Sequence, residues 1–130
     1  MLTKDQILEC NDLKSEAVDV PEWGGQVLVR TMTGADRDQF EASMMEALPD
    51  GTRRPDLTNL RTKLVALTLV DEAGNRLFEP QDVVRLAMKS AAALERVFTV
   101  AQRINGMGAQ AEDDAVKNSL ADLSGASPSA

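Results

Sequence analysis

The sequence predicts a mainly α protein with a small N-terminal β-hairpin: an α+β chain of three to four packed helices and a flexible acidic C-terminal tail. Three observations lead there. From Thr33 onward, apolar residues recur at three- and four-residue steps, the spacing of a helix face. Polar and apolar residues alternate instead within 16–31, the spacing of a half-buried strand. Aromatics are only 3% of the chain, so Leu, Val, Ile, Met and Ala have to build the core. At 130 residues there is room for one compact domain, expected over 1–108, and a tail over 109–130.

Thr3 opens the first element, because its hydroxyl suits a helix cap while Gln6 reaches back; a short helix from Lys4 to Cys10 is expected. Glu16-Ala17-Val18-Asp19-Val20 reads as a strand that Pro21 stops. Trp23-Gly24-Gly25 then supplies two residues tolerant of positive φ, and Gln26-Val27-Leu28-Val29-Arg30 resumes a β-rich run. The simplest reading is a hairpin over about 16–31, or a small two- to three-stranded sheet. A hairpin is marginal alone and needs a helix layer over its apolar face. Its open edge also invites a strand from another chain.

Thr33 is a cap for the next helix, with acids in the first turn where the helix dipole favours them. That helix is expected over 34–48, Phe40, Met44 and Leu48 forming one stripe, until Pro49-Asp50-Gly51 ends it. A second helix is expected over 56–70, where Leu57, Leu60, Leu64 and Leu67 keep step. After the turn at 71–75, Glu79-Pro80 opens a third over 80–88, with Pro where its missing N–H costs nothing. Ser90 caps a fourth over 91–105, striped by Leu94, Val97, Phe98, Ala101 and Ile104, and Gly106 stops it. Residues 109–130 turn to Ala, Ser and Asp and are expected to be disordered alone, although Val116, Leu120 and Leu123 share a helix face.

The net charge of −7 is uneven. Residues 1–22 hold six acids against two lysines, 23–108 hold eleven of each sign, and 109–130 hold four acids against one lysine. A neutral body between acidic ends is repelled by phosphate backbones and anionic bilayers, so neither nucleic acid nor membrane is an expected partner. A single cysteine, Cys10, excludes an internal disulfide framework and fits a reducing, cytoplasmic setting. MLTKDQILEC lacks a basic stretch followed by an apolar one, so no secretion signal is expected, and nothing approaches the ~20 apolar residues of a membrane span.

Catalysis is not expected. The chain has no His and no Tyr, which removes the commonest general base and metal ligand. Cys10 stands beside Glu9, whose carboxylate opposes thiolate formation. Asp36/Asp38 and Glu112/Asp113/Asp114 lack the alternating oxygen ligands and central Gly of a calcium loop. No phosphate-cradling glycine motif occurs, so neither metal nor cofactor is expected. Binding is the better reading. Met44, Met45, Leu48 and Met107 are the candidate partner-binding residues, with Met88 weighed beside them, because unbranched thioethers adapt to variable apolar surfaces. Met44 shares the Phe40 stripe and suits the core as well, whereas Met45 lies off it and is the better exposed contact.

Several segments taken in order carry a resemblance. They are Val18-Asp19-Val20-Pro21-Glu22-Trp23-Gly24-Gly25, Thr33 through Glu41 (TGADRDQFE), Asp71 through Phe78 (DEAGNRLF), and Lys89 through Phe98 (KSAAALERVF) running into Ala101-Gln102-Arg103-Ile104-Asn105-Gly106. The ordered set, over residues 1 to about 108, resembles the tail assembly chaperones of long-tailed bacteriophages and prophages. That resemblance implies a late protein of the host cytoplasm, absent from the finished particle. It also implies that the chain binds the tape measure protein and helps recruit tail tube protein during tube polymerisation. In this family a longer form often arises by ribosomal frameshifting. Self-association suits a protein working along a long polymer and is left open. The alternative from another class is a structural virion component, a head–tail joining or tail terminator ring protein.

Overall fold

In the computed structural model, residues 1–107 are described; the expected acidic tail at 109–130 lies outside them. The Thr3 hydroxyl accepts the Gln6 N–H at 3.3 Å, and the Thr3 N–H donates to the Gln6 side-chain oxygen at 2.9 Å. This two-way cap starts α1 (Lys4–Glu9), a helix that buries none of its residues. β1 (Ser15–Val20) and β2 (Gly25–Arg30) then pair antiparallel, with Val18 opposite Val27 and Glu16 opposite Val29. A 3-10 turn at Pro21–Trp23 joins them, and Gly24 closes it at φ 77°, a backbone value that glycine adopts without a Cβ clash.

Thr33 and Asp36 repeat the reciprocal cap at the start of α2 (Gly34–Ser43), whose buried residue is Phe40. β3 (Met45–Ala47) and β4 (Arg53–Pro55) follow as a second hairpin. α3 (Leu60–Thr68) passes through the middle of the molecule, with Thr62 and every residue from Leu64 to Thr68 buried. The Thr68 hydroxyl would be a liability there, but it donates to the Leu64 carbonyl at 2.9 Å. The chain then enters β5 (Leu69–Val70), which pairs antiparallel with β2, Leu69 opposite Val29. α4 (Val83–Leu86), preceded by a 3-10 turn, and α5 (Ala91–Ile104) complete the described chain.

The core lies between the sheet β1-β2-β5 and the helices. Val18, Val20, Val29 and Leu69 face Leu64 and Val65 of α3 and Val97, Phe98 and Ala101 of α5. Burying each of these Val, Leu or Phe side chains favours folding by about 1.5–3 kcal/mol. Helix α5 is also tied at the surface to β1 and to the turn that follows it. Arg96 donates to both Glu22 carboxylate oxygens at 2.9 Å, and Arg103 pairs with Glu16.

The expected fold class, mainly α with only an N-terminal hairpin, is wrong. The molecule is an α+β fold with two small sheets, and the N-terminal hairpin is two strands of a three-stranded sheet. Both errors came from extending helices too far. The helix expected over 34–48 stops at Ser43, and 45–47 become β3. Leu48 precedes Pro49 and is thereby disfavoured from the α region. Turning at Pro49-Asp50-Gly51 lets the Leu48 N–H donate to the Thr52 carbonyl at 2.8 Å. The helix expected over 56–70 begins only at Leu60, because Asn59 is left-handed at φ 55°, and it gives way to β5 at Leu69. The segment 80–88 splits into a 3-10 turn and a single helical stretch of four residues. Five α-helices occur among the described residues, the short N-terminal one and four more as expected, and the first buries none of its residues.

Candidate functional site

Placing the candidate partner-binding residues begins with how α2 ends. Met44 is its C-cap and lies half-buried against the core, which fits its place on the Phe40 stripe. Met45 starts β3 opposite Pro55 and is 43% exposed. Leu48, half-buried, closes the turn between β3 and β4. Across that hairpin Arg54 donates to Glu46 at 2.8 Å, and just beyond it Leu57 stands exposed. The structure therefore gathers Met44, Met45 and Leu48 around one hairpin and adds Leu57.

Met107 is elsewhere. It follows Asn105, whose side-chain oxygen accepts the Met32 N–H at 2.7 Å, beside the start of α2. It packs half-buried against the core. Met45 lies past the other end of α2, a helix of ten residues and about 15 Å of rise. Met107 does not share a patch with the other three.

Two further apolar exposures lie elsewhere, and of their residues the sequence singles out Met88 alone. In α1, Leu2, Ile7 and Leu8 at its start and along its length are exposed, and no residue of the helix is buried. The other surrounds α4. Leu77, Val84 and Met88 are exposed, Met88 at 82%, beside an open cleft of ≈ 580 Å³ lined by Trp23, Leu77, Phe78, Asp82, Arg85, Leu86 and Lys89. The signal lay in spacing: Val83 and Leu86 face inward, so Val84 and Met88, four apart, point off that side. The outer edge of β1 pairs with no strand among the described residues.

Electrostatics here serve structure. The Glu22 carboxyl is held below its usual range by its hydrogen bond from Arg96. Asp50, Asp56 and Asp71 are lowered in the same direction, by Thr52, Thr58 and Asn75 respectively, each fixing a turn. Cys10 is a free, exposed thiol at the end of α1. Among the described residues, no three acidic, histidine or cysteine side chains are placed to hold a metal ion, and no helix is long and apolar enough to cross a membrane. What the surface offers is apolar side chains in water at three places, which is a means of binding other chains.

The model of one protein family, described as phage tail assembly chaperone, matches residues 5–118. No curated protein and no solved structure matches the chain.

Proposed function

Because the chain belongs to the phage tail assembly chaperone family, we propose that it binds the tape measure protein and assists polymerisation of the tail tube, without catalysis. The observation that supports this reading is the dispersal of large apolar side chains in water. Met45 and Leu57, Leu77, Val84 and Met88, and Leu2, Ile7 and Leu8 form three separate exposures on one small body. A long helical client presents apolar stripes along its length. A chaperone for it needs several modest apolar contacts per copy and many copies, so that avidity supplies what each contact lacks. Met45 and Met88 suit such contacts, since thioether chains repack against varied partners. The client surface proposed is the β3–β4 hairpin with Met44, Met45 and Leu48, with Met107 a separate contact. The protein acts in the host cytoplasm and leaves before the particle is complete.

Co-expression of the tape measure protein with and without this chain tests the reading. Soluble tape measure should rise with the chain present and fall again with Met45→Asp, whose circular dichroism and melting stay those of the parent. Solubility indifferent to the chain would overturn it. Recovery of the chain in stoichiometric amount by mass spectrometry of purified particles would make it a virion component instead.

A further inference from the structure

We infer that a small pocket between α2, α3 and the strap leading to α4 binds one carboxylate, supplied by an aspartate or glutamate side chain of a partner polypeptide. The pocket has a volume of ≈ 130 Å³, and Gln39, Ser43, Lys63, Arg76, Pro80 and Val83 are among its lining residues. That is the space of about four waters at ~30 Å³ each, and well short of the roughly 300–1,000 Å³ of a cofactor or drug-sized site. Two cations line it, and no acid does.

Arg76 is the anomaly on which the site turns. Six arginines form ion pairs with carboxylates: Arg30, Arg37, Arg54, Arg61, Arg96 and Arg103. Arg76 forms none among the described residues, and neither do Arg53 and Arg85, although the chain has 21 acids to 14 bases; of these three, Arg76 alone has a buried unpartnered Nε. Its Nε is fully buried and has no hydrogen-bond partner there; the Arg30 Nε shares that state, but the Arg30 guanidinium is held by Asp36 and the Gly74 carbonyl. A buried unpaired donor on a charged group is costly, and such groups are kept where something else pairs with them. Lys63 is held beside it: its ammonium donates to the Ser43 carbonyl at 3.1 Å, fixing one of three N–H groups and leaving two. Asp56 feels the Lys63 charge, but its carboxylate is engaged first by Thr58, and it is not in the lining.

The rest of the wall identifies the source of the carboxylate. Ala66, Leu67, Pro80 and Val83 are apolar. A planar carboxylate matches the guanidinium fork with two parallel bonds and brings a methylene stem that suits those walls. A phosphate would match the two cations in charge, but the apolar Ala66, Leu67, Pro80 and Val83 offer its remaining oxygens no donors. The inference does not require the partner to be a tape measure protein; any chain with an acidic side chain set among apolar neighbours fits.

The test uses the full chain, labelled with ¹⁵N and titrated with N-acetylglutamate N-methylamide, the glutamine counterpart and inorganic phosphate. The glutamate probe should shift the Arg76 Nε–H signal and the amides of Gln39, Ser43 and Lys63 saturably, and the glutamine probe should leave them unmoved. Arg76→Gln should weaken the glutamate response about tenfold or more, as expected for a charged hydrogen bond. Should that variant fold poorly, Lys63→Gln, which keeps a donor for Ser43, should weaken it as well. Equal shifts from both probes, no saturable shift, or tighter binding of phosphate than of the glutamate probe would each overturn the inference.

Discussion

Leu69→Ala is the substitution that tests how the two layers of this fold are joined. Leu69 is 1% exposed and serves two elements: its N–H caps α3 by donating to the Val65 carbonyl, and its backbone pairs β5 with β2 opposite Val29. Its carbonyl also accepts the Leu77 N–H at 3.1 Å. Truncation leaves those backbone bonds but opens a cavity between sheet and helices. Leu→Ala in a packed core costs about 2–5 kcal/mol, against a total stability of about 5–15 kcal/mol for a domain of this kind. At about 4–8 °C per kcal/mol, the melting temperature should fall by at least about 8 °C. Urea unfolding followed at once by Trp23 fluorescence and far-ultraviolet circular dichroism measures it. Trp23 is the single tryptophan and sits in the β1–β2 turn, so it reports on the sheet while the dichroism reports mostly on helices. The two transitions should shift together with an unchanged urea slope. Leu57→Ala, at an exposed position, should stay within about 0.5 kcal/mol of the parent. A loss below about 1 kcal/mol for Leu69→Ala, or a fluorescence transition that moves without the dichroism, would refute the idea that β5 locks the N-terminal hairpin to the helices.

Three other substitutions and one change of condition follow from local geometry. Thr33→Ala removes the hydroxyl that accepts the Asp36 N–H and should cost about 1 kcal/mol by chemical denaturation; Thr3→Ala removes the matching bond in α1 and should leave global unfolding unchanged, because that helix buries nothing. Gly74→Ala places a Cβ at φ +86°, 3.8 Å from an Arg30 guanidinium nitrogen, and should destabilise by about 1–2 kcal/mol in the same assay. On acidification, Glu22, Asp50, Asp56 and Asp71, all depressed in the folded state, contribute stability that is present above their unfolded values and lost as protons bind. The urea midpoint should therefore hold from pH 7 to about 5 and decline below about 4, the ordinary range of exposed carboxyls; a midpoint that rises on acidification would contradict those assignments.

Signals carried by neighbouring residues were legible in the sequence. The Thr3–Gln6 and Thr33–Asp36 caps, the Ser90 cap and the strand alternation before Pro21 each involve groups within a few positions of one another, and each is present. The buried stripe of α5, from Leu94 to Ala101, was equally plain. What was missed depends on partners distant along the chain. Leu69-Val70 continues the apolar run of α3 and reads as helix until β2, some forty residues earlier, is there to pair with it. Met45-Glu46-Ala47 reads as helix by propensity and becomes strand only because Arg53-Arg54-Pro55 folds back on it. That hairpin pairing, six to ten residues along the chain, made Met44, Met45 and Leu48 a hairpin surface in place of a helix edge. The exposures at α1 and α4 were hidden for the opposite reason: a sequence shows that Ile7 or Val84 is apolar, but only the fold shows that nothing covers it.

The charge layout gives the three apolar exposures different characters. Of the six acids in residues 1–22, Glu16 and Glu22 are neutralised by Arg103 and Arg96 of α5, and Asp19 accepts a hydrogen bond from Gln26. The acids of that segment left without an ion pair are thus Asp5, Glu9, Asp12 and Asp19; the first three lie on and just after α1, alongside Leu2, Ile7 and Leu8, with Lys4 and Lys14 interspersed. Around α4 the sign reverses, since Arg85 and Lys89 line the cleft with Trp23 and Leu77 against the single acid Asp82. At the β3–β4 hairpin, Arg54 and Glu46 cancel. Apolar contact alone does not distinguish one greasy segment from another; the charges beside it do, within the roughly 8 Å that salt allows at physiological strength. Charges of both signs beside the exposed leucines keep that surface hydrated, which opposes pairing of leucine with leucine between copies. Each face is then suited to an apolar segment with different flanking charge.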